Sequence, residues 1–166
     1  MADGSRRDCW DELRDPEAGE PQFALSAWIA PAPFEELCGL EILEAAEGRA
    51  VLRMPFRVKL SQGAGLLHGG AVTTLADTAV AMAIKSLLPE GTHFATVEMT
   101  TRFRAPVVRG TAEARARVTR FEGRDLEGEA EVYAEGGTLV ATFGSRFRLA
   151  RGQPQGEAPV KDTPGG

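Results

Sequence analysis

Residues 63–88, GAGLLHGGAVTTLADTAVAMAIKSLL, carry the most information in the chain. From Gly70 to Leu88 the side chains are apolar around nearly the whole helical circumference, and Pro89-Glu90-Gly91 stops the run. The pattern predicts one long helix buried on most sides. Asp77, Lys85 and the threonines interrupt its apolar character, so it reads as a core helix and not a membrane span.

Upstream, the polar, glycine-containing loop SQGAGLL leads into His68. Two short strands are expected before it, Leu40 to Ala46 and Arg49 to Phe56, turning at Glu47-Gly48. PAPFEELCG begins with prolines and ends at Gly39, the pattern of a short helix closed by a glycine C-cap. Downstream, side chains alternate with period two. Ala95, Val97, Met99 and Phe103 share one expected face, opposite Thr96, Glu98 and Arg102. Ala112, Ala114, Ala116 and Val118 alternate with Glu113, Arg115, Arg117 and Thr119, and Gly128, Ala130 and Val132 with Glu127, Glu129 and Glu131. A last run sets Leu139, Ala141, Phe143 and Phe147 opposite Arg146 and Arg148. Two strands, one long helix and four strands joined by short turns imply an α+β fold, an antiparallel sheet wrapped around one buried helix.

The 166 residues suffice for one domain with a core that needs no disulfide or metal. Residues 1–22 hold seven acids and three arginines with few large apolar groups, and residues 151–166 are rich in Pro, Gly and Gln. Both are expected to be disordered, leaving a domain over 23–150. A net charge of −5 argues against general nucleic-acid binding, which requires a basic surface. Cys9 and Cys38 form no CxxC pair, and the leader lacks the apolar core of a secretory signal. A cytoplasmic protein is the resulting expectation.

The candidate chemistry lies on the long helix. Asp77 stands among Leu75, Ala76, Ala79, Val80 and Met82, where an unpaired carboxylate is costly to desolvate. It either bonds a nearby backbone segment or serves as a general base or nucleophile. His68-Gly69-Gly70 precedes the helix directly, so free backbone N–H groups point outward with the positive end of the helix dipole behind them. That is a natural oxyanion site, although two glycines also make an ordinary tight turn. His68 and Asp77 lie roughly 13 Å apart at the helical rise. If both act on one substrate, each must come from a different subunit, which predicts an obligate dimer with two equivalent sites. Two histidines and no cysteine cluster argue against a zinc site, and neither a G-x-S-x-G elbow nor a Walker loop occurs. Cys38, among Phe34, Leu37 and Leu40, reads as a buried core thiol.

The helix with its histidine-glycine lead-in, followed by FATVEMTTRFRAPVVRG and preceded by FEELCGLEILEAAEGRAVLRMPF, resembles the hotdog-fold acyl-CoA thioesterases, particularly the PaaI-like branch, over roughly residues 33–149. The resemblance implies a curved antiparallel sheet wrapped around a central helix, a homodimer or dimer of dimers with shared active sites, and metal-free hydrolysis of an acyl-CoA thioester. No cofactor is implied, since coenzyme A is part of the substrate. By position, Asp77 would activate water or attack the thioester, and Gly69 would donate its backbone N–H to the thioester oxygen. His68 would support that turn, and Thr96 would help orient the water. Gln62 falls where the family often has Asn, and its longer side chain departs from the pattern. Seven arginines lie between Arg102 and Arg124. Arg102, Arg104 and Arg109 are candidates for the phosphates of coenzyme A, while Arg115 and Arg117, alternating with alanines, read as a solvated strand face. The acyl group, aryl or medium-chain, is left open. Two other functions compete: a hotdog hydratase or dehydratase, whose histidine patterns HGG does not match, and a non-catalytic acyl-CoA sensor, which would gain little from a buried charge at Asp77.

Overall fold

The computed structural model describes residues 23–153. The expectations for the leader 1–22, for Cys9 and for residues 154–166 of the tail lie outside the described residues. The elements run α1 (Pro33–Cys38), β1 (Glu41–Ala46), β2 (Arg49–Pro55), α2 (Gly69–Lys85), β3 (Phe94–Phe103), β4 (Thr111–Glu122), β5 (Asp125–Ala134) and β6 (Leu139–Leu149). All strand pairs are antiparallel, in the order β1-β2-β4-β5-β6-β3, and α2 lies against the six-stranded sheet. This is the hotdog architecture that the resemblance implied.

Local chemistry explains the first elements. Gly39 closes α1 in the left-handed region, where its N–H bonds the Glu36 carbonyl. Glu47 and Gly48 both take positive φ, 49° and 74°, matching the twist of the two strands they join. Small residues then let α2 approach the sheet. Ala112, Ala114, Ala116 and Ala130 are buried beneath it, and a Cβ at Gly128 would stand 2.4 Å from Cγ1 of Val80. Leu52, Met54, Leu126, Val132 and Leu149 fill the surrounding core.

Two sequence expectations need correction. The long helix ends at Lys85 and not near Leu88. Ser86 Oγ donates to the Ala83 carbonyl and accepts the Gly48 N–H, and a tighter turn closes on Ile84 before Pro89, which disfavours helix in the residue preceding it. The second correction concerns β3. Its pairing with β6 skips Val97, with Thr96 opposite Phe147 and Glu98 opposite Arg146. This bulge reverses the alternation, so Thr96 shares the helix-facing side with Met99, Thr101 and Phe103 instead of lying opposite them.

Ahead of α1, Trp28 ties the chain to the end of α2. Its indole N–H donates to the Lys85 carbonyl at 3.0 Å, Lys85 Nζ returns a bond of 3.0 Å to the Trp28 carbonyl, and Nζ sits 4.8 Å from the indole centroid. Burial lowers the Lys85 pKa, against a smaller opposing effect of Glu35. The strap anchors the segment ahead of α1 to the C-terminal end of α2.

Candidate active site

Asp77 projects from the middle of α2, on a narrow stripe that the sheet does not fully cover. Thr73, Thr74, Asp77, Ala81 and Lys85 are partly exposed, whereas Ala71, Val72, Leu75, Ala76, Ala79, Val80, Ala83 and Ile84 are buried. The Asp77 carboxylate receives the Thr96 hydroxyl, 3.2 Å from Oδ1 and 3.4 Å from Oδ2. Among the described residues no cation pairs with it. Burial raises its pKa, the Thr96 hydrogen bond opposes that rise, and the negative charge of Glu35 on α1 adds to it. A carboxylate kept more basic than usual and half-open to solvent can take a proton from water.

One turn earlier, Thr73 and Thr101 hydroxyls meet at 3.0 Å. With Asp77–Thr96, this contact fixes the edge strand β3 along α2. Beyond β3 no further strand of the described residues follows, and its apolar side chains Val97, Met99 and Phe103 are 50%, 46% and 56% exposed. An apolar sheet edge beside a partly exposed helix stripe is a surface suited to a partner.

The start of α2 forms a second centre. His68 is its N-cap, and His68 Nδ1 accepts the Gly70 N–H at 2.9 Å, which puts the neutral ring's proton on Nε2. The Ala71 and Val72 N–H groups turn back to the His68 carbonyl. Among the described residues the Gly69 N–H has no acceptor, as expected for a first helical donor. The turn is pinned from both sides, by His68 N–H to the Leu60 carbonyl at 2.8 Å and Leu67 N–H to the Val107 carbonyl at 2.9 Å. Gln62 closes the preceding loop: its Oε1 accepts the Ala64 N–H, and its backbone N–H bonds the Leu66 carbonyl.

A cleft of about 380 Å³ opens at Gly69, walled by Gln62, Leu66, Val72, Phe103, Pro106 and Val107, with Arg104 among its lining residues. The Phe103 ring lies so close that a Cβ on Gly69 would stand 3.0 Å from its Cζ. The sequence pattern marks Phe103 only as a member of a strand face; its position over the glycine depends on the register of β3 and has no local signature.

The structure therefore gathers the candidate residues into two groups. Asp77 and Thr96 form one; Gly69, His68, Gln62 and Arg104 lie at or beside the other. Along the helix axis Gly69 and Asp77 are separated by about 12 Å. Arg102 and Arg109 are exposed and line no wall of the Gly69 cleft. Arg102 projects to the outer face of β3, opposite Thr142. The arginines further along pair with acids: Arg115 with Glu113 at 2.9 Å, and Arg117 with Glu129. Cys38 is buried, and desolvation is the main cause raising its pKa. Among the described residues no group of three His, Cys, Asp or Glu side chains gathers as metal ligands do, and no helix is long and apolar enough to cross a membrane.

Comparisons with known proteins agree with this architecture. Residues 64–141 match the family model described as the thioesterase superfamily. A Halobacterium salinarum protein described as a candidate esterase is 36% identical over 109 residues, 63% of this chain and 72% of that relative. A conserved protein from Pseudomonas aeruginosa aligns with a TM-score of 0.69 at 30% identity, covering 72% of this chain and 95% of the other. A variant of the phenylacetic acid degradation protein PaaI from Thermus thermophilus aligns with a TM-score of 0.66 at 31% identity, covering 72% and 100% of the two chains.

Proposed function

Because this chain belongs to the thioesterase superfamily, with the hotdog fold, we propose that it is an acyl-CoA thioesterase, hydrolysing an aryl or medium-chain acyl-CoA to the free acid and coenzyme A. The observation that carries the reading is Asp77: an uncompensated carboxylate, held by one hydroxyl, on the open stripe of the helix whose first turn offers a free N–H at Gly69.

The chemistry follows from those two groups. The Gly69 N–H, backed by the helix dipole, binds the thioester oxygen and stabilises the negative charge that develops there. Asp77 takes a proton from the attacking water, or attacks the carbonyl itself, while Thr96 holds the carboxylate in place. His68 keeps the turn rigid through Gly70. Arg104, at the cleft, meets a phosphate of coenzyme A. The separation of about 12 Å means that one site draws Gly69 from one subunit and Asp77 from its partner. We therefore read the protein as a homodimer with two shared sites, formed across the exposed edge of β3 and the open stripe of α2.

Thiol release from a panel of aryl- and alkyl-acyl-CoA substrates, with wild type and Asp77→Ala side by side, tests the activity. Turnover lost in a folded Asp77→Ala dimer supports the reading; tight acyl-CoA binding with no turnover of any substrate favours the sensor instead. Mixing inactive Asp77→Ala and Gly69→Val subunits tests the sharing. Random hybrids should recover about a quarter of wild-type activity, because half the dimers then carry one intact site. No recovery would place both groups within one subunit.

A further inference from the structure

Beneath the Thr73–Val80 portion of α2 lies a hydroxyl that the proposed chemistry does not use. Ser145 Oγ is buried and, among the described residues, has no hydrogen-bond partner. Its strand neighbours fix its place. On β6 it stands between Phe143 and Phe147, which face the helix; on β3 it pairs with Met99, and on β5 with Gly128, the glycine under Val80. Phe147 on the same strand is opposite Thr96. Ser145 is thus diagonal to Thr96 on the helix-facing side, a relation that places the two Cβ atoms on the order of 7 Å apart. The bulge at Val97 opens the β3–β6 ladder between them.

The two hydroxyls have complementary needs. Thr96 gives its one proton to Asp77, shared between the carboxylate oxygens, and keeps lone pairs free to accept. Ser145 has a proton with no protein acceptor in a region where an unmade hydrogen bond is costly. We infer that Ser145 is a positioning residue for Asp77: its hydroxyl donates, through one water seated at the Val97 bulge, to Thr96 Oγ1, and so strengthens the bond from Thr96 to the carboxylate. Hydrogen bonds in such a line polarise one another, and a buried water needs only two to four polar partners, here the two hydroxyls and the backbone at the bulge. No competing charge occupies the space. The inward faces of β2, β4, β5 and β6 are otherwise apolar or glycine, Glu98 points outward to Arg146, Lys85 is bound to Trp28, and Glu35 on α1 is the one charged group whose field reaches Asp77 among the described residues.

The inference rests on Asp77 being the reacting carboxylate, yet it can be tested without turnover. The Asp77 side-chain carboxyl is followed by carbon NMR against pH in wild type, Ser145→Ala, Thr96→Val and the double variant. Removing the relay should make the carboxylate hold its proton more tightly, so the Ser145→Ala midpoint moves upward, by roughly a factor of two in proton affinity. Thr96→Val should move it further, and Ser145→Ala should add nothing in that background. A Ser145→Ala protein that melts earlier while its Asp77 midpoint stays fixed would reduce Ser145 to a packing residue and overturn the inference. So would a Ser145 effect that survives the loss of Thr96. If the midpoint moves as expected but the wild type hydrolyses no acyl-CoA, the relay stands and the thioesterase reading fails.

Discussion

The two faces of this sheet treat charge in opposite ways. On the outer face acids and arginines alternate across strands and meet in pairs: Glu113 with Arg53 and Arg115, Glu127 with Arg120, Asp125 with Arg148, and Glu98 with Arg146. The inner face and the helix it cradles carry one acid, Asp77, held by a threonine hydroxyl and pushed toward the protonated form by burial. Exposed pairs cost little to form and contribute little. An unpaired carboxylate against a core costs stability, so its presence there calls for a reason other than folding. Charge density alone would direct attention to the wrong face, because Arg115, Arg117 and Arg120 of the arginine-rich segment 102–124 pair with acids on neighbouring strand positions.

The contrast is sharpest in the response to substitution. Asp77→Ala should lower kcat by about 10²–10⁴-fold, the range for removing a positioned base, with the fold retained. An active variant would mean that the inner carboxylate is no different in kind from the outer ones. Thr96→Val should have the next largest effect, about tenfold on kcat, as for the loss of one hydrogen bond to a charged group. Since the Thr96 bond lowers the Asp77 pKa, its removal should also shift the acid limb of the pH–rate profile upward. A profile displaced downward would contradict the assignment of Thr96 as donor.

Stability should move the other way at the same position. The folded-state pKa of Asp77 lies above its unfolded value, so the folded protein is favoured while the group is protonated, and that advantage is lost as pH rises through the folded pKa. Asp77→Asn removes the charge but keeps the shape and an acceptor for Thr96. It should therefore melt about 2–4 °C higher than wild type at neutral pH, with the difference closing in acid below the ordinary aspartate range. Calorimetry of the two proteins across pH checks this; equal melting temperatures throughout would mean that the carboxylate is not strained by burial.

Much of this arrangement is legible in the sequence, and the part that is not has a common cause. The Glu47-Gly48 turn, the Gly39 cap and the alternating faces of β4 and β5 are set by residues within a few positions of one another, and the sequence reading of them agrees with the structure. The end of α2 escapes that reading because Ser86 bonds a distant strand turn at Gly48. Thr96 falls on the face opposite to the one its alternation suggests because a bulge is a property of strand pairing, invisible in a run whose pattern looks regular. Within the candidate site, Asp77 stands out as an acid in an apolar helix, and Gly69 as a helix start. Their distance also follows from helical rise alone. The Phe103 ring over Gly69, the orphan hydroxyl at Ser145 and the field of Glu35 each depend on residues far apart in the chain that only the fold brings together.

The smallest effect expected belongs to the best-connected acid on the outer face. Glu113 accepts from both Arg115 and Arg53, and those hydrogen bonds, with Arg115 first, lower its pKa. Its stabilising contribution is thus present above the unfolded glutamate pKa and lost as pH falls through the lower folded value, the reverse of Asp77. The partners are exposed, so water and salt screen the attraction. Glu113→Gln should change stability by less than about 1 kcal/mol, with the difference shrinking further as salt is raised, and should leave kcat unchanged. Denaturant titration at low and high salt measures the first, and the acyl-CoA assay the second. A large, salt-insensitive loss would show that the outer ladder holds the curvature of the sheet around α2, and the division of labour between the two faces would then fail from the outer side.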